Sequence, residues 1–181
     1  MFNINVLIPL APGFEELEAV SIIDILRRAK IGVRISSIEE RDVAGAHGIK
    51  IIADSDFADE VVEDYDAIVL PGGTEGAKRL YSYTPLKTAL MSFASEGRVI
   101  AAICASPALV FAELGLLDKR RATCYPCFKS HLKDYVDEAV VVDQNIITSQ
   151  GPGTAIAFSL KLVEILADLK IAQEIKEGML L

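Results

Sequence analysis

The feature that most limits what this chain can become is a series of short runs that are apolar at every position, each closed by Pro, Gly or Cys and followed by a helix-forming stretch. A strand with one wet face alternates polar and apolar residues, so runs such as AIVL at 67–70 and VIAAI at 99–103 belong to strands covered on both sides. Strands over 3–10, 33–38, 67–70 and 98–103 alternate with helices over 15–30, 75–81, 85–96 and 105–114. That order predicts an α/β fold: a three-layer sandwich with a mostly parallel sheet and helices on both faces. Residues 44–54, AGAHGIKIIAD, predict a small antiparallel excursion, and the polar stretch 55–66 a loop. Runs at 138–143 and 146–149 form a strand pair turning at Gln144-Asn145, and helices over 154–169 and 171–180 close the chain. The 181 residues, 51% of them apolar and without repeats or linkers, are expected to form a single domain, 1–181.

Charge removes some functions. With 26 acidic against 18 basic residues the formal charge is -8, and the basic residues are scattered, so nucleic acid is not expected as a ligand. The apolar segment 99–117 is interrupted by Pro107 and Glu113, and no membrane span is expected. The amino end lacks a basic region and is broken by Pro9, Pro12 and Gly13, unlike a secretory signal. Together with an odd count of three cysteines, this predicts a cytoplasmic protein with free thiols.

In a parallel sheet, ligands sit beyond the carboxyl ends of the strands. Three loops should meet there: 10–15, 71–74 and 104–107. The last places Cys104 on a sharp turn into a helix, with small neighbours Ala102, Ala105 and Ser106 and with Pro107 suited to the first helical turn. Unpaired amides and the positive helix end would lower the thiol's pKa, which favours a reactive thiolate over a buried structural cysteine. In the first helix Glu15 and Glu18 share the apolar stripe of Ala19, Ile22, Ile25, Leu26 and Ala29, whereas Glu16 falls opposite as ordinary surface. A carboxyl on the apolar stripe would be desolvated and its pKa raised, and Glu18 lies deeper than Glu15. Capping of the helix end by both acids is the competing reading.

Four motifs in order, EELE at 15–18 after APG, LPGG at 70–73, AAICASPA at 101–108 and TSQGPGTA at 148–155, give the chain a resemblance to a known family. It resembles the ThiJ/PfpI superfamily, in the branch of the parkinsonism-associated protein deglycase and its bacterial thiazole-labelled relatives. The resemblance implies a flavodoxin-like homodimer with Cys104 as oxidisable nucleophile and Glu18 as its acid. Gly73 and Ala105 would be backbone donors, with Glu15, Gly72, Ser106, Tyr125, Gly151 and Pro152 around them. It implies a glyoxalase or deglycase needing no metal and no cofactor, acting on a 2-oxoaldehyde such as methylglyoxal or on glycated protein. The alternative it implies is a redox-sensing stress protein or chaperone governed by oxidation of Cys104 to sulfinate. Some relatives carry histidine where this chain has Tyr125, whose reference pKa of about 10 excludes it as a near-neutral base. Ala105, not histidine, follows the nucleophile, which disfavours a Cys-His peptidase.

Two other motifs compete. Cys124-Tyr125-Pro126-Cys127 with His131 offers three soft ligands where structural zinc needs four, and incidental, partly exposed thiols are the simpler reading. GPGT at 151–154 lacks the Lys-Ser/Thr of a phosphate loop. His47, between Gly45 and Gly48, is read as either a surface residue or a group near a dimer interface.

Overall fold

The computed structural model describes residues 4–181, so the expected strand start at Asn3 lies outside the described residues. Along the chain come β1 (Asn5–Leu10), α1 (Glu16–Arg28), β2 (Gly32–Ser37), β3 (Asp42–Ala44), β4 (Lys50–Ile52), β5 (Ser55–Asp56), β6 (Ala67–Leu70), α2 (Thr74–Ser82) and α3 (Thr84–Glu96). Then follow β7 (Val99–Ile103), a π-helix (Pro107–Ala112), β8 (Arg121–Ala122), β9 (Asp134–Tyr135), β10 (Val140–Asp143), β11 (Ile146–Ser149), α4 (Ala155–Leu166) and α5 (Leu169–Gly178).

Seven strands make one sheet in the order β10-β11-β7-β6-β1-β2-β5. All its neighbours run parallel except the edge strand β10, which turns back on β11 through a two-residue connection with Gln144 at φ 56°. The central strands β6 and β7 are apolar throughout, and β1 nearly so, because their two faces feed two cores. Val6, Ile8 and Leu10 of β1 pack under α1 and α4. Leu7 packs with Ile68 and Leu70 under α2 and α3. On α1 the stripe Ala19, Ile22, Ile25 and Leu26 is buried and meets Phe158, Leu162 and Val163 of α4. Each such large side chain contributes roughly 1.5–3 kcal/mol on leaving water. This is the flavodoxin-like three-layer arrangement, and β3 with β4 forms the antiparallel excursion.

Several boundaries differ from expectation. The stretch 55–66 is not wholly loop: β5 extends the sheet edge beside β2, held by backbone bonds rather than an apolar pattern. The helix expected over 154–169 ends at Leu166, because Asp168 caps α5 by accepting the Lys170 N–H at 2.6 Å. After Cys104 the ladder is a π-helix, not an α-helix; Pro107, Ala108, Val110 and Phe111 are buried, and apolar spacing over one short segment does not distinguish the two.

Candidate active site

The loops after β1, β6 and β7 converge as expected, and two glycines let them do so. A Cβ on Gly72 would sit 2.5 Å from Cys104 Cβ and 2.6 Å from Glu18 Oε2, so only hydrogen fits. Gly73 takes φ 89° at the start of α2, against the backbone of Gly13 to Glu15. The Glu15 N–H donates to the Gly72 carbonyl at 3.0 Å, tying the first loop to the second.

Cys104 itself has φ 66°, in the left-handed region that is strained for a residue with a Cβ. Two backbone bonds hold it there. Its N–H donates to the Ser149 carbonyl of β11 at 2.9 Å, and its carbonyl accepts the Tyr125 N–H at 2.8 Å. The Gly73 and Ala105 amides, the two backbone donors the resemblance implies, lie near enough to the sulfur to favour its anion.

Glu18, in the first turn of α1, is 0% exposed. Its Oε2 accepts the Gly72 N–H at 2.7 Å, while Oε1 has no aligned partner among the described residues. The carboxyl's other interaction is with the Cys104 thiol. Burial pushes Glu18 up to about 7, against the hydrogen bonds from Gly72 and Cys104, and the charge of Glu15 adds to the rise. The thiol departs from expectation. Burial first, then the charge of and hydrogen bond to Glu18, push Cys104 well above the ordinary thiol range, and the Gly73 and Ala105 amides do not compensate. The two groups therefore titrate as a unit. Of the two, Glu18 is the readier to lose its proton, and a thiolate requires the thiol proton to pass to Glu18, whose neutral carboxyl no longer repels it.

Around this pair lies an open cleft of about 840 Å³ whose walls include Glu15, His47, Tyr125, Cys127 and Pro152. Glu15 stands at the N-cap position of α1, partly exposed and without a side-chain capping bond. Ser106 is buried and donates to the Pro71 carbonyl at 2.6 Å, bracing two loops against each other. Tyr125 is 44% exposed, and its ring covers Gly151, where a Cβ would lie 3.2 Å away.

Two readings need correction. Glu16 is not surface but only 4% exposed, because the β3–β4 hairpin lies over the start of α1. It accepts the His47 N–H at 2.6 Å and meets His47 Nδ1 at 2.9 Å. Burial opposes its charge, yet these bonds and the Ile49 N–H hold the carboxyl below the usual range, and His47 is raised in return, by the Glu16 hydrogen bond above all. The sign in the sequence was the pair of glycines flanking His47: a Cβ on Gly45 would overlap the Glu16 carboxyl. Glu15, Glu16 and His47 also bring three ligand-type atoms within 4.8 Å of one another, an arrangement the Glu16–His47 hydrogen bond already explains. Cys124, in turn, is fully buried in the core rather than partly exposed, whereas Cys127 is exposed. His131 pairs with Glu113 at 3.2 Å instead of joining those thiols.

Comparison with known proteins bears on the family and the fold. The model of the DJ-1/PfpI family matches residues 4–165. The chain is 42% identical to Protein DJ-1 homolog B of Arabidopsis thaliana over 94% of its own length and 40% of the relative's. It is 34% identical to the glutathione-independent glyoxalase DJR-1.2 of Caenorhabditis elegans, covering 84% of this chain and 82% of that one. It thus spans less than half of the Arabidopsis protein but most of the nematode one. The oxidized DJ-1 of Toxoplasma gondii superposes with a TM-score of 0.94 at 40% identity, covering 98% of both chains.

Proposed function

We propose, for a chain that belongs to the DJ-1/PfpI family, that Cys104 and Glu18 convert 2-oxoaldehydes such as methylglyoxal, or early glycation adducts of proteins, to hydroxy acids without a cofactor. The observation that carries this reading is a fully buried carboxyl, pushed up to about 7, beside a thiol on a strained elbow. The sulfur adds to the aldehyde carbon while Glu18 takes the thiol proton and returns it to the aldehyde oxygen, giving a hemithioacetal and leaving Glu18 free as a base. Glu18 then carries the proton between the two adjacent carbons as one is oxidised and the other reduced, and water releases the hydroxy acid from the resulting thioester. The Gly73 and Ala105 amides that reach the sulfur are placed to hold negative charge beside it. A relative named as a glutathione-independent glyoxalase supports the substrate class. Purified protein is expected to consume methylglyoxal without glutathione, and Cys104→Ala to lose essentially all of that rate; equal rates would refute the catalytic role.

A second reading, a redox sensor or chaperone in which Cys104 becomes a sulfinate held by Glu18, is favoured by the same contact, since a neutral carboxyl can donate to a sulfinate oxygen. Mild peroxide should then modify Cys104 before Cys124 and Cys127, as read by mass spectrometry. We read the protein as a cytoplasmic homodimer joined through α1 and the hairpin, where Leu17, Val20, Ile49 and Ile52 are exposed. No helix among the described residues is long and apolar enough to cross a membrane.

A further inference from the structure

Cys124 and Cys127 of the CYPC run at 124–127 have no role in the carbonyl chemistry proposed above, yet the run converges on the nucleophile. Because the Tyr125 N–H donates to the Cys104 carbonyl at 2.8 Å, the two backbones run side by side at that point. Two residues on, Cys127 emerges exposed on the wall of the same cleft as Cys104. Cys124 stays buried, with its S–H directed at the Tyr125 carbonyl at 3.4 Å, so it does not share that cleft. All three thiols are free. The 3-10 helix Pro126–His131 that carries Cys127 has no fully buried residue and packs on the core only through Phe128, so a shift toward the elbow disturbs one aromatic contact.

We propose that Cys127 is a resolving thiol for Cys104: once a hydroperoxide has oxidised Cys104, Cys127 captures it as a Cys104–Cys127 disulfide. In the first step the Cys104 sulfur attacks the hydroperoxide, an S–O bond forms, the O–O bond breaks, and water or an alcohol leaves behind a sulfenic acid. In the second, the Cys127 sulfur, its proton given to solvent, attacks the Cys104 sulfur; an S–S bond forms, the S–O bond breaks, and hydroxide departs to be protonated to water. Two electrons pass from the two thiols to one peroxide, and a small dithiol reductant returns both thiols. Such a bridge needs Cα atoms roughly 4.4–6.8 Å apart, so capture draws the 126–131 segment over the elbow and closes the cleft. The result separates two fates of Cys104: reversible capture when peroxide is scarce, and oxidation to sulfinate when a second peroxide arrives first.

The inference rests on Cys104 being the reactive thiol of the proposed function. Wild type, Cys127→Ser and Cys124→Ser are treated with about five equivalents of hydrogen peroxide, since sulfinate formation consumes two peroxides per thiol, digested without reductant and mapped by mass spectrometry; a second portion is incubated with dithiothreitol and assayed on methylglyoxal. Expected are a Cys104–Cys127 linked peptide in wild type and Cys124→Ser, and Cys104 sulfinate in Cys127→Ser. Relative to its own untreated rate, Cys127→Ser should recover on the order of ten-fold less activity than wild type, because a sulfinate is not reduced by thiols. Sulfinate formed equally in wild type and Cys127→Ser, or a Cys124–Cys127 disulfide with Cys104 intact, overturns the resolving role while leaving the catalytic one standing. Cys104 unmodified in every sample, together with no methylglyoxal turnover, overturns both.

Discussion

A carboxyl pushed up to about 7 is half ionised near neutrality, so Glu18 changes charge within the range in which a cell operates. Proton passage from thiol to carboxylate requires the pair to have lost one proton, and the rate on methylglyoxal is expected to rise as pH passes through about 7. In Glu18→Gln that limb should move several units upward, to the thiol's own ionisation; a profile unchanged by the substitution refutes the coupling. Stability runs the other way. A carboxyl whose pKa is raised on folding favours the native state most below its ordinary value of 4.5, and that contribution is lost as pH rises through about 7. The shift corresponds to about 3 kcal/mol. Urea titrations at pH 5 and pH 8 should therefore show wild type losing stability on that scale and Glu18→Gln losing much less. The desolvation of Glu18 was legible from its place on the apolar stripe of α1. The net direction for Cys104 was not, because the helix-end amides are visible in a sequence but the neighbouring buried charge that outweighs them is not.

At the scale of elements, the β6–α2 turn carries the tightest geometric demand. Gly72→Ala puts a methyl into the space between the nucleophile and its acid, and should cost about 1–3 kcal/mol in stability together with roughly 100-fold in turnover. Gly97→Ala is the control, since φ 74° at the end of α3 is the only difficulty there and open space surrounds it; about 1 kcal/mol and no kinetic change are expected. Denaturant melts and methylglyoxal rates on the two variants decide whether the contact or the turn matters. The long strands were readable because both of their faces are buried, which leaves an unbroken apolar run. β5, β8 and β9 are two residues each and rest on backbone hydrogen bonds that no side-chain pattern reports. Glu16 was misplaced for a related reason. Helical spacing tells which side of α1 faces the sheet, but not that a hairpin thirty residues on folds over its first turn.

For the whole molecule, the two cores on opposite faces of the sheet make Leu162→Ala expensive, about 2–5 kcal/mol by denaturant titration, even though it stands far from Cys104 in sequence. A surface substitution tests the assembly. Leu17, 64% exposed, and Ile52, 77% exposed, flank Val20, and Val20→Glu is expected to turn a dimer into a monomer by sedimentation velocity with little change in the monomer's fold. A wild type that sediments as a monomer at micromolar concentration removes the homodimer reading. The layer order and the loops that meet at the strand ends followed from apolar runs and their Pro and Gly punctuation. The proposed pairing surface had no such mark, because exposed aliphatic residues on a helix look alike whether they meet water or a partner.

The elbow's N–H is tied to Ser149, and Gly151 and Pro152 complete the ground around Tyr125. During synthesis the nucleophile therefore leaves the ribosome long before the strand that fixes its angle. Until Ser149 and the strand that carries it have joined the fold, Cys104 lacks the carbonyl that its N–H binds, so the strained elbow is set only once β11 has paired with β7.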